Sequence, residues 1–196
     1  MKLRNLSHTT DVLIRKLYFL FGKRNLLSAA WWGIYIEANA RFDGKCYFKR
    51  YPKSKIKIGK NCEFLSRSNA NLIGINRPCM LSTLTETASI EIGDNCGFSG
   101  TVIGAFTSIK IGNNVRCGAN TLITDSDWHP DDPRVGASKA VVIGDNVWLG
   151  LNAVVLKGVE IGANTVIGAN SLVTKNIPAN VIAAGNPCKE IAKLTV

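Results

Sequence analysis

Residues 125–132 read Asp-Ser-Asp-Trp-His-Pro-Asp-Asp. The chain holds two histidines, His8 and His129, and the second lies in this stretch among Asp125, Asp127, Asp131 and Asp132. An imidazole titrates near neutral pH, so it can take a proton and return it. A carboxylate beside it can hold one tautomer and stabilise the imidazolium form. Pro130 biases His129 toward an extended backbone. By default a histidine in a polar, proline-containing loop is a surface side chain. This one is singled out by its flanks, because a regular pattern stops before it and resumes after it.

The flanking pattern has a period of six. Ile143, Leu149, Val155, Ile161, Ile167 and Val173 are all aliphatic, and Val147, Ala153, Val159, Thr165, Ser171 and Ile177 are mostly small or β-branched. Gly144, Gly150, Gly162 and Gly168 follow aliphatic positions, with Asn146, Asn152, Asn164 and Asn170 two residues later. The same unit occurs upstream as Ile58-Gly59-Lys60-Asn61-Cys62, Ile92-Gly93-Asp94-Asn95-Cys96 and Ile111-Gly112-Asn113-Asn114-Val115. Its phase slips between Gly104 and Ile111, and it is ragged from Ser66 to Ser89. A period of six fits neither a helix nor a simple alternating strand. It fits a hexapeptide-repeat parallel β-helix, in which three hexads make one triangular coil. The expected fold is therefore all-β, with about five to six coils over residues 56–178. The aliphatic residues stack inward, and glycine and asparagine sit at corners where positive φ costs them little. The break at 124–140 is expected to leave the coil sideways, and such insertions cluster on the binding side of a solenoid.

Residues 1–55 carry no hexad and are read as a basic cap, with helical spacing after Thr10-Asp11 and a second segment at 26–39 containing Trp31, Trp32 and Tyr35. The net charge of +10 is concentrated at this end: residues 1–60 hold 14 Lys+Arg against 3 Asp+Glu, and the remainder 10 against 11. Such a segment suits a solvated surface, an anionic substrate or anionic lipid, with Trp and Leu in the headgroup region. Residues 179–196 are read as a tail that ends the last coil. None of the six cysteines forms a CxxC pair, and several fall where the repeat wants a small inward side chain, so they are read as buried thiols. That usage, with no evident secretory signal and no apolar run long enough to span a bilayer, points to the cytoplasm. Two histidines do not make a three-histidine zinc site, and no metal is expected. The near-neutral repeat region and the lack of a recognition helix or stacking motif argue against nucleic acid.

Four stretches together resemble the hexapeptide-repeat acetyltransferases, of the maltose, galactoside and Nod-factor type and most nearly the capsule and lipopolysaccharide O-acetyltransferases. They are Asp125 to Pro130, Val142 to Gly150, Gly158 to Pro178 and Ala184 to Lys189. The resemblance covers roughly residues 90–192. It implies a left-handed β-helix, a homotrimer, and acetyl-CoA bound in a groove between neighbouring prisms. It implies His129 as general base, taking a proton from an acceptor hydroxyl that attacks the thioester carbonyl. Asp127 or Asp125 is nominated by proximity to orient the ring. Asp127 is placed with His129 in catalysis and Asp125 with Ser99 at the acceptor. In the groove the resemblance places Trp148 near the thioester arm, Leu151 and Ala169 along the pantetheine, and Thr174, Lys175 and Lys189 at the nucleotide phosphates. Lys189 stands where such proteins have arginine.

The small-sugar acetyltransferases carry an asparagine in the coil before the loop, where this chain reads Gly97-Phe98-Ser99-Gly100-Thr101. Ser99 is the candidate in its place. That departure and the basic, Trp-containing N-terminus favour a cell-surface glycan acceptor and peripheral contact with the inner membrane. Two other functions remain open on sequence: a sugar-nucleotide N-acyltransferase, and a non-catalytic, membrane-associated scaffold.

Overall fold

The structure, a computed structural model, describes residues 9–10, 12–14, 16–17, 20 and 22–194. His8 and Asp11 lie outside the described residues. Over the described residues the chain winds as a left-handed β-helix of hexapeptide repeats with six full coils. Each coil contributes one strand to each of three parallel sheets. The first coil is β1 (Tyr35–Ile36), β2 (Arg41–Asp43) and β3 (Tyr47–Lys49), and the second β4 (Lys55–Ile58), β5 (Glu63–Leu65) and β6 (Met80–Thr83). The third is β7 (Ser89–Ile92), β8 (Gly97–Ser99) and β9 (Val102–Ala105), and the fourth β10 (Ser108–Ile111), β11 (Arg116–Cys117) and β12 (Leu122–Thr124). The fifth is β13 (Val141–Ile143), β14 (Trp148–Leu149) and β15 (Val154–Val155), and the sixth β16 (Glu160–Ile161), β17 (Val166–Ile167) and β18 (Leu172–Val173). The tail adds β19 (Val181–Gly185) parallel to β17, and β20 (Cys188–Lys193) antiparallel to β19, both in the second sheet.

Coiling starts at Tyr35, not at residue 56. The first coil has no hexad signature, yet β1, β2 and β3 pair in register with β4, β5 and β6. It is recruited by side-chain stacking. Phe42, Phe64 and Phe98 occupy one column on three successive coils, with ring centroids 5.1 and 4.9 Å apart and nearly parallel planes. Above them the column continues with the buried residues Cys117, Leu149, Ile167 and Ala183. The hexad aliphatics from Ile143 to Val173 are all buried. So are the six cysteines, as free thiols. Burial pushes Cys79 up to about 11 and Cys117 up to about 12.

Three corners join the sheets. At the first corner, between the first and second sheets, asparagine adopts positive φ on coil after coil, as at Asn61 (56°), Asn95 (58°), Asn114 (57°), Asn146 (57°) and Asn164 (56°). Their side-chain amides bond from coil to coil, Asn146 to Asn164 at 2.9 Å and Asn164 to Asn180 at 3.0 Å. The neighbouring glycines correct the sequence expectation. Gly59 and Gly162 do not have positive φ; a Cβ there would sit 2.6 Å from the Gly93 carbonyl oxygen and 2.4 Å from the Ala179 nitrogen. Asparagine supplies the left-handed turn, and glycine permits the close approach of coils.

The second corner, between the second and third sheets, releases residues 66–79 from the second coil, the ragged stretch of the sequence. The third corner, between the third and first sheets, releases residues 125–140 from the fourth. Helix α1 (Lys23–Trp31) covers the open end of the first coil. Its buried Asn25 donates to the carbonyls of Gly22 and Gly44 at 3.1 and 2.9 Å and accepts the Cys46 N–H at 2.8 Å. Ala29 packs beside it in the core.

Candidate active site

The loop that carries His129 is built on the third corner of the coil beneath it. By register Thr124 stacks on Gly104. The next residue, Asp125, is fully buried, and its two carboxylate oxygens accept the backbone N–H groups of Phe106 and Thr107, each at 2.7 Å. The sequence assigned Asp125 to the acceptor. The structure instead makes it a plug: the Phe106 and Thr107 amides of the preceding corner have no sheet partner, and a carboxylate buried as fully as Asp125 must be hydrogen-bonded.

Trp128 supplies the second anchor. Its indole N–H donates to Thr124 Oγ1 at 2.9 Å, and its ring meets Phe106 edge-on at a centroid distance of 5.6 Å. The benzo edge of the ring abuts Gly104, where a Cβ would stand 2.2 Å from it. Trp128 also has φ +69°, an outlier for a bulky residue that persists only where surrounding contacts over-determine it. These contacts turn the chain so that the following residue, His129, is exposed at an open depression shared with Trp128, Pro130, Asp131, Asp132 and Pro133. The His129 carbonyl accepts the Asp132 N–H at 3.1 Å. Arg134 grips the Asp132 carboxylate with Nε and Nη2, which lowers that carboxyl below its usual range.

Asp127, nominated to orient the imidazole, is paired elsewhere. Its Oδ2 accepts from Lys157 Nζ, which also donates to the Gly136 carbonyl. Lys157 lies one coil above Asp125 by register and ties both arms of the loop to the fifth coil. The backbone bonds from Gly158 to Lys139 and from Lys139 to Asp125, both 2.9 Å, close the base. Asp127 thus braces the loop.

The second corner holds a different set. Ser99 is buried there, and its hydroxyl accepts from Asn71 Nδ2 at 3.3 Å. The 66–79 segment folds over it. Asn120 donates to the Gly74 carbonyl and accepts the Asn76 N–H, Arg77 donates to the Asn120 carbonyl, and Ala70 and Ile75 pack with Ala119 against Leu151. Ser99 is therefore covered rather than open to an acceptor. Asn120, at φ 62°, is a corner former as its place in the repeat implies.

The sequence-predicted residues fall into two groups. Asp125, Asp127, His129, Thr174 and Lys175 sit at the third corner, the last two exposed two coils above the loop. Ser99, Leu151 and Ala169 sit at the second corner, with Trp148 and Lys189 exposed in the second sheet beside it. One protomer does not bring the groups together. Sequence reasoning missed Trp128, Gly104 and Lys157 as the supports of the loop. A trace of them was present: the phase of the repeat slips just after Gly104, where Phe106 and Thr107 meet Asp125.

Residues 140–175 match the family described as bacterial transferase hexapeptide (six repeats). The chain is 42% identical over 87 residues to a galactoside O-acetyltransferase of Lactococcus lactis, covering 42% of each chain. It is 38% identical over 91 residues to a polysialic acid O-acetyltransferase of Escherichia coli, covering 44% of this chain and 30% of the relative. The chain spans about half the length of the first curated relatives it matches. Among solved structures, an N-acyltransferase from Bacillus cereus superposes with a TM-score of 0.67 at 18% identity, over 87% of this chain and 90% of that one. At that identity the likeness establishes the fold. With six stacked coils over the described residues and the repeat match inside them, the chain is a left-handed β-helix similar to the hexapeptide-repeat bacterial transferases.

Proposed function

We propose that the protein is an acetyl-CoA-dependent O-acetyltransferase acting on a sugar hydroxyl of a surface polysaccharide or its precursor. The observation that carries this reading is the anchoring of His129. Two anchors, the buried Asp125 carboxylate and the partly exposed Trp128 ring, fix the backbone on either side of Asp127 and leave the imidazole exposed. The match to O-acetyltransferases of a galactoside and of polysialic acid supports the reaction and the acceptor class.

In the mechanism the acceptor hydroxyl gives its proton to the His129 imidazole as its oxygen attacks the thioester carbonyl. The tetrahedral adduct collapses with loss of the coenzyme A sulfur, and the imidazolium returns the proton to that leaving group. A positioned base of this kind contributes about 10²–10⁴-fold in rate. The residue distribution supports a cyclic trimer. A threefold arrangement that sets one protomer's second corner against its neighbour's third corner joins Trp148, Leu151 and Ala169 to His129 across the interface, the heterologous contact that closes a ring. The pantetheine then lies along that seam, and Thr174, Lys175 and Lys189 supply cationic and hydroxyl donors for phosphate.

The test is transfer of labelled acetyl from acetyl-CoA into glycan and lipid-linked fractions of the source cell, by wild type and by His129→Ala. His129-dependent label that mild alkali releases is the expected result. Alkali-resistant label moves the reading to N-acetylation of an amino sugar, and equal labelling by the two proteins removes His129 as the base.

A further inference from the structure

Helix α1 caps the first coil with one face and leaves an apolar face outward. Its inner face, Asn25 and Ala29, is pinned to the first coil. Its opposite face carries Leu27 at 74% exposure and Trp31 at 87%, with Leu26 also exposed. The preceding segment continues the theme. Its described residues between 9 and 20 are helical, and Leu13, Leu17 and Leu20, at spacings of four and three, are exposed. Lys16, Lys23 and Arg24 stand among them, also exposed.

A solvent-facing cap has no use for an exposed tryptophan and a leucine stripe. A second copy of the chain is a poor occupant, because residues 1–60 hold 14 Lys+Arg against 3 Asp+Glu and two such ends repel. A nucleic acid would answer the charge but leave the leucines wet. Leucine and tryptophan within a rim of lysine and arginine match the headgroup boundary of an anionic bilayer. Among the described residues no helix is long and apolar enough to cross a membrane, so the contact is one that lies on the surface.

We infer that the α1 end of the β-helix is a docking surface for an anionic lipid bilayer, with Leu27 and Trp31 inserted and Lys23 and Arg24 at the headgroups. The His129 loop leaves the fourth coil, three coil spacings of about 4.8 Å from the first. It therefore stands roughly 15 Å above the first coil, with the roughly 10 Å thickness of α1 between that coil and the bilayer, a height suited to a sugar held on a lipid carrier. That last clause rests on the proposed acetyltransferase function; the docking itself does not. In a cyclic trimer three copies of the patch share one face, and avidity multiplies a weak single contact.

The experiment is co-sedimentation of the intact protein with phosphatidylcholine vesicles, alone or with about a third phosphatidylglycerol, alongside its mass by light scattering. Wild type is expected to bind the anionic vesicles, to release with salt, and to show a blue-shifted tryptophan emission. Lys23→Gln/Arg24→Gln lowers the affinity roughly twenty-five-fold at about a factor of five per charge. Leu27→Ser/Trp31→Ser abolishes binding with the native mass retained. Absence of wild-type binding, equal binding of the Leu27→Ser/Trp31→Ser variant, or a change of assembly state in that variant overturns the inference, the last in favour of a contact between copies. Acetyl transfer to a water-soluble acceptor is measured on the same proteins. Vesicle binding without transfer removes the proposed function alone, and His129-dependent transfer without vesicle binding removes the docking alone.

Discussion

The first and third corners of the prism solve the same problem with opposite means. Both must turn the chain from one sheet to the next and pair the amides that the turn exposes. At the first corner the solution is periodic: one asparagine per coil at positive φ, its side chain bonded to its equivalent above. Nothing there is left over for chemistry. At the third corner of the fourth coil the period is broken, and the pairing is done by single, non-repeated groups, Asp125 on two amides and Trp128 on Thr124 and Gly104. Because these few side chains carry the turn, the residues between and beyond them are free to project. The difference teaches that regularity marks residues spent on the fold, whereas a break held by a few single side-chain anchors marks residues released from it.

Substitutions separate the two corners. The largest effect belongs to His129→Gln, which lowers acetyl transfer by about 10²–10⁴-fold while thermal unfolding shows stability within about 0.5 kcal/mol of wild type. A parallel loss of stability would show that the third corner is structural like the first. Next is Gly104→Ala. The added methyl displaces the Trp128 ring, so transfer falls in kcat more than in KM, and overpacking costs roughly 1–3 kcal/mol. Crystallography or tryptophan fluorescence of this variant reads the displacement directly. At the first corner the order inverts: Asn146→Ala forces a Cβ-bearing residue without a local hydrogen bond into positive φ and destabilises by about 1–2 kcal/mol. Transfer at a permissive temperature stays unchanged. Asn146→Gly recovers most of that loss, and denaturant titration of the pair isolates the φ contribution. Smallest is Asp127→Asn. It weakens a partly exposed ion pair with Lys157 worth about 0–1 kcal/mol. If Asp127 braces the loop rather than the ring, the pH profile of transfer keeps its midpoint; a shifted midpoint restores the orienting role.

Much of this was legible in the chain. The period of six is a covalent property, so the stacked aliphatics from Ile143 to Val173, the asparagine corners and the break at His129 could be read directly. So could the burial of several of the cysteines, such as Cys62 and Cys96, which fall in an inward phase of the repeat. The first coil could not. It has no hexad, and Phe42 joins the prism only because Phe64 and Phe98 already stand in its column. The 66–79 segment was visible as raggedness, but not that it closes over Ser99.

The sequence by itself determined the repeat, the corners and the histidine, because those depend on residue type and on neighbours a fixed number of positions away. Tertiary structure alone decided the partners of the carboxylates. Asp125 and Asp127 stand four and two residues before His129, both close to it in the chain. One is drawn inward by two unpaired amides of the preceding coil and the other upward to Lys157 on the next. Which unpaired group lies within hydrogen-bonding reach of a carboxylate is set by how the coils stack. The cost of leaving a buried carboxylate without hydrogen bonds then outweighs proximity along the chain.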